Sequence, residues 1–164
     1  MTPPFPQPSP RRSVMTWTAV ALLVAYWVLA ISASPRMGVT ADEILHLTAG
    51  YSYWEQNDYR LQPENGTLAM RAAALPLLAM DLKFPSLESE NWKHSFVPDI
   101  GREFFYGLGN PLDRMMLAGR AMIAHFGVFT LWLVWRWSMR LFGETAGLVS
   151  LALATFCPAL LADR

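Results

Sequence analysis

Asp42 and Glu43 stand side by side, and His46 follows one helical turn after Asp42. At that spacing Asp42 and His46 share one helix face. A carboxylate there can take a proton from an acceptor hydroxyl, with a nearby His or Arg tuning it. The same pattern has a plain structural use. Acidic residues are favoured in a first helical turn, and Thr40-Ala-Asp42-Glu43 is a capping box with Glu43 at its third position. From this local pattern alone the structural role is the more economical account. Arg60, Arg71 and Arg120 are candidates to grip a phosphate. For Arg120 a snorkelling cation at a span end accounts for the residue better. Tyr51, Tyr53 and Trp54 could stack on a sugar, although such rings more often pack at an interface. Asn65-Gly66-Thr67 matches a glycosylation acceptor and is read as chance. Two adjacent carboxylates could bind a divalent cation but do not define a site.

These residues need elements to hold them. The chain has 164 residues, 53% of them hydrophobic, and no formal net charge. That length suits one domain, and zero net charge argues against nucleic acid as a partner. The single cysteine, Cys157, lies in an apolar run and reads as a small buried side chain.

Residues 14–33 carry no charge, which matches the ~20 residues needed to cross a hydrocarbon core. Arg11 and Arg12 precede them, after a proline-rich, disordered leader (1–13). A cleaved signal peptide, cut near Ser32–Ser34, is the competing reading; its apolar core would be shorter. A second span is expected over 116–137, with Arg120 and Arg136 snorkelling from an uncharged stretch of 121–135. A third is expected over 145–162, after a short connector of 138–144, with Pro158 near its end. The result is an all-α integral membrane protein, with three transmembrane helices and a long, partly helical exterior loop after the first. Basic residues in short segments set the orientation. Arg11 and Arg12 place the N-terminus in the cytoplasm, and Arg136 and Arg140 place the connector there, so the loop 34–115 faces outward. Within it, a helix opens at Thr40, Asn57-Asp58 marks a turn, and 68–82 reads as an apolar helix interrupted at Pro76 and lying along the membrane interface. Residues 84–112 read as irregular. The chain stops at Asp163-Arg164 directly after a span, as a segment of a longer protein would.

The order of features carries a resemblance. One uncharged span is followed by Asp42-Glu43-x-x-His46, then Gly50-Tyr51-x-Tyr53, Asp58-Tyr59-Arg60-Leu61-x-Pro63-Glu64, and Leu75-Pro76-Leu77-Leu78. Next come Asp113-Arg114, Arg120 and a span ending Arg140-Leu-Phe-Gly143-x-x-Ala146-Gly147-Leu148. This resembles the N-terminal part of bacterial GT-C superfamily membrane glycosyltransferases, relatives of protein O-mannosyltransferases and the lipid A aminoarabinose transferase. The resemblance implies an inner-membrane enzyme that moves a sugar from a polyprenyl-phosphate donor to an acceptor hydroxyl on a protein, lipid or glycan. It implies Asp42 as catalytic base, Glu43 as the second member of the acidic pair, and His46, Tyr59, Arg60, Glu64 and Arg71 as substrate contacts, with no certain cofactor. Relatives read Pro-Glu-His-Pro-Pro-Leu-Ala-Lys where this chain has Pro63-Glu64-Asn65-Gly66-Thr67-Leu68-Ala69-Met70. That departure keeps a second expectation open: a small three-span relative, without activity, that binds lipid or a partner protein.

Overall fold

The computed structural model describes residues 10–33 and 38–162. The leader up to residue 9, Ser34 of the cleavage region, and Asp163-Arg164 lie outside the described residues. Every regular element among the described residues is helical. In chain order they are α1 (Pro10–Ala33), α2 (Ala41–Glu55), α3 (Thr67–Ala74) continued by a tight 3₁₀ turn (Leu75–Ala79), α4 (Glu90–Lys93), α5 (Val97–Arg102) running into a π turn (Glu103–Gly107), α6 (Leu112–Phe142), α7 (Glu144–Thr155) and α8 (Pro158–Ala162). Two stretches, Ser13–Ala33 and Leu112–Phe142, are long and apolar enough to cross a membrane.

Several expectations change. The first helix opens at Pro10, inside the leader expected to be disordered over 1–13. The second helix runs well beyond 116–137 at both ends, because nothing before Gly143 breaks it. The connector 138–144 shrinks to Gly143, whose φ of 90° turns the chain directly into α7. The third span is not one helix. Pro158 has no N–H and would clash with the preceding turn, so α7 stops at Thr155 and Pro158 opens α8. Alone, α7 covers about 18 Å at 1.5 Å per residue, short of the ~30 Å hydrocarbon core. Residues 84–112 are more ordered than their composition implies. Ser89 caps α4 by accepting from the Trp92 amide, and Pro98 sits in the first turn of α5.

The chain divides into two compact units. One joins the chain up to Ala30 with His125 onward. Here the Tyr26 hydroxyl donates to the Leu160 carbonyl at 2.9 Å, and Ser138 and Ser150 share a hydrogen bond of 2.8 Å. The Trp27 and His125 rings meet edge-on, 5.8 Å apart. Large apolar side chains, including Val14, Trp17, Val24, Phe129, Leu153 and Phe156, face outward.

The second unit, Ile31–Ala124, has a true interior. One cluster joins Leu47 and Tyr51 of α2 with Ala73, Ala74, Leu77, Phe104, Phe105, Met115 and Met116. Another joins Ala49 and Tyr53 with Leu61, Met70, Trp92, Val97 and Ile100. Tyr51 lies against Phe84 and Phe104, with centroids 5.7 and 5.1 Å away. The stretch expected to lie on lipid therefore buries Met70, Ala73, Ala74 and Leu77 inside this unit, while Leu68 and Leu75 stay exposed.

Gly50 makes the α2–α3 packing this close. A Cβ there would strike the Met70 carbonyl carbon at 2.6 Å, backbone that cannot yield as a side chain would. We expect Gly50→Val to destabilise this unit by about 3 kcal/mol or more. Gly66→Ala, where a Cβ meets nothing within 4 Å, serves as the near-neutral control. Denaturant titration in detergent compares the two; equal midpoints would show that the close approach does not limit stability.

Candidate functional site

The first turn of α2 is built as its sequence dictates. Thr40 is the N-cap: its hydroxyl accepts from the Glu43 amide at 3.3 Å, and the Glu43 carboxylate accepts from the Thr40 amide at 3.0 Å. The same carboxylate takes a guanidinium fork from Arg120, Nε to Oε1 at 2.6 Å and the second arm to Oε2 at 2.8 Å. Arg120 also donates to the Gly38 carbonyl at 2.9 Å. The two side chains are only 9% and 16% exposed. This corrects the snorkelling expected of Arg120: the cation is buried and paired, because a capped carboxylate with lone pairs to spare sits beside it.

Burial pushes the Glu43 carboxyl upward, but the Arg120 hydrogen bonds and charge, with the Thr40 bonds, outweigh it and hold it below its ordinary value of 4.5. A lowered folded-state pKa stabilises the fold above the ordinary value and loses that stabilisation as pH falls through the lowered one. We therefore expect the unit's stability to be level above about pH 5 and to drop below about pH 4.5, with Glu43→Gln flattening much of that acid limb. Thermal unfolding in detergent across pH reads this out. An unchanged acid limb in Glu43→Gln would assign the loss to other carboxylates.

Asp42 differs from its neighbour. It is exposed, and no described residue bonds or pairs with it. His46 is partly buried, its Nδ1 lying 3.0 Å from Gln62 Oε1. Gln62 Oε1 also accepts from Asn65 Nδ2 at 3.3 Å, so it acts as an acceptor and the imidazole carries its proton on Nδ1.

The remaining predicted residues gather elsewhere. Tyr59 stacks on Tyr53 at 4.6 Å, and its hydroxyl accepts from Arg71 at 2.6 Å. The Arg71 guanidinium lies 3.9 Å over Trp54, whose indole N–H donates to the Arg71 carbonyl at 2.8 Å. Arg60 folds back on Asp58 at 2.7 Å and over the Trp92 ring at 5.2 Å. Its hydrogen bond is the main cause that holds Asp58 below the usual carboxylate range. Glu64 is exposed. Trp54 comes twelve residues after Asp42 on the same helix, so the arginine–aromatic group sits about 18 Å from the acidic pair along α2. Trp54 and Arg71 thus lie at the far end of α2 from the acidic pair, while Gln62, two residues from both Arg60 and Glu64, reaches back to His46 near the acidic end. Among the described residues no three metal-ligating side chains converge. The two oxygens of Glu43 are taken by Arg120 and Thr40.

Arg120 as the partner of Glu43, and Gln62 as the partner of His46, were not foreseen. The first pair is separated by 77 positions, beyond any spacing rule. No family model matches this chain, and neither a curated protein nor a solved structure matches it.

Proposed function

We propose that this chain is a segment of a GT-C-type membrane glycosyltransferase, with Asp42 as its base. In this reading the protein lies in the inner membrane, N-terminus cytoplasmic, and crosses with α1, α6 and the kinked pair α7–α8. The outward-facing apolar side chains of α1, α6 and α7 suit lipid contact. The helical unit between α1 and α6 lies outside. The observation that carries the reading is the division of labour in the acidic pair. Glu43 is committed to the cap and to Arg120, while Asp42 next to it is exposed and has no hydrogen-bond or ion-pair partner among the described residues.

The reaction follows. The acceptor hydroxyl gives its proton to Asp42 and its oxygen attacks the anomeric carbon. The bond from that carbon to the phosphate oxygen breaks, the anomeric centre inverts, and the polyprenyl phosphate departs. Glu43 and Arg120 are positioning residues that fix the first turn of α2. His46, one helical turn after Asp42, is a substrate contact in this reading. Arg71, packed on Trp54 at the far end of α2, is not used in this step. This segment alone is expected to be inactive, so the test supplies the reconstituted full-length protein that contains it with a radiolabelled polyprenyl-phosphate sugar and acceptor lipids or peptides. Release of polyprenyl phosphate coupled to label transfer is expected; no turnover under any acceptor would overturn the reading.

A second reading has its own support. No uncompensated cation stands beside Asp42 among the described residues, since Arg120 is neutralised. The chain would then be a three-span protein that binds lipid or a partner without transferring sugar. Stable co-purification with one partner, without turnover, is the result that favours it.

A further inference from the structure

Arg71, like Arg60, Arg102 and Arg114 of the same unit, is left unused by the transfer reaction. It is held rigidly: its guanidinium lies on Trp54, one arm donates to the Tyr59 hydroxyl, and its own carbonyl accepts from the Trp54 indole. Arg60 and Arg120 are neutralised by Asp58 and Glu43. No carboxylate pairs with Arg71 among the described residues. A guanidinium presents five N–H donors, so most of those on Arg71 remain available to an oxyanion.

Its surroundings say which oxyanion. Leu68, Arg71 and Leu75 recur at i, i+3 and i+7, one face of α3 and the turn that continues it. The opposite face, Met70, Ala73, Ala74 and Leu77, is buried. On the outer face Leu68 is 74% exposed and Leu75 is 44% exposed, and Trp54 beside Arg71 is 38% exposed. Two exposed leucines, an exposed indole edge and an uncompensated guanidinium form an apolar stripe with one cation at its centre. A free phosphate would need the cation and gain nothing from the leucines. A phospholipid surface uses both, with acyl chains meeting the leucines and indole, and headgroup phosphate meeting the guanidinium. Connectivity brings this unit near a bilayer, since α1 enters it and α6 leaves it.

We infer that the Leu68–Arg71–Leu75 face, with Trp54, is a docking surface for anionic phospholipid, with Arg71 binding a headgroup phosphate. The inference rests on the membrane-spanning reading above and is independent of the sugar chemistry. It makes the exterior unit a body seated on the bilayer, with the acidic end of α2 held at a fixed remove from the lipid-bound end.

The full chain in a Cys157→Ala background, carrying an environment-sensitive fluorophore on Leu68→Cys, goes into phosphatidylglycerol/phosphatidylcholine vesicles with headgroup nitroxide lipid. A parallel protein carries the probe on Val24→Cys and is read with a deep acyl-chain nitroxide. Quenching of both probes is expected. Arg71→Ala should shift the position-68 docking equilibrium by about five-fold toward water, as should diluting out phosphatidylglycerol. Arg71→Gln, which keeps the stem and an amide donor to Tyr59, decides the matter if Arg71→Ala loses helix by circular dichroism. A quenched probe at 24 with an unquenched probe at 68 overturns the docking surface and leaves the spans intact. No quenching at either position removes the spans and this inference together. Quenching at 68 that ignores both Arg71 variants overturns the role of Arg71.

Discussion

Asp42→Asn is expected to lower sugar transfer by about 10²–10⁴-fold, the usual cost of losing a positioned general base. The change keeps side-chain size and removes only the ability to take a proton. The Asp42 side chain makes no hydrogen bond or ion pair with another described residue, so stability should move by less than about 1 kcal/mol, mostly the lost charge in a first helical turn. Turnover should therefore collapse in kcat while the helical content and unfolding midpoint hold. Glu43→Gln should show the opposite balance, since Glu43 holds structure. Its acid limb and midpoint change first, and transfer falls only as far as α2 shifts. Undiminished transfer by Asp42→Asn, at equal protein in the membrane, would remove Asp42 from the chemistry.

The second large effect belongs to the buried pair. Arg120→Met leaves Glu43 with half of its partners gone, and Glu43→Gln leaves the Arg120 cation buried without a counter-charge. Breaking one side of such a pair costs about 3–5 kcal/mol, whereas replacing both sides is often nearly neutral. The double variant should thus be more stable than the sum of its parts by about 2 kcal/mol. Simple additivity would mean that the fork between Arg120 and Glu43 contributes little in the folded protein. Transfer should track the singles as well, because a shift of about 1 Å in a catalytic group can cost about 10²-fold in rate.

Local signals served the local structure well. The capping box at Thr40, the turn at Asn57, where φ is 50°, and the break of 68–82 near Pro76 all depend on neighbours a few residues apart. The long apolar stretches at 14–33 and around 116–137 are visible for the same reason. Pro158 reads as a kink, but it divides the helix, because it has no N–H to close the turn. What sequence could not show was partnership. Arg120 looked like a cation at a span end, yet its partner lies in another helix far back in the chain. Arg60 and Arg71 read as candidates to grip a phosphate, and sequence alone does not say how far from Asp42 they stand. Arg71 packs on Trp54, about 18 Å along α2 from Asp42.

The outward placement of Asp42 can be measured directly. An Asp42→Cys, Cys157→Ala protein in intact cells is treated with a membrane-impermeant maleimide, with Ser138→Cys as the counterpart on the other side. Labelling at position 42 before lysis, with 138 protected until the membrane is opened, is the expected result. Labelling at 138 with 42 protected would place the carboxylate in the cytoplasm, away from any exterior lipid-linked sugar, and would contradict the account.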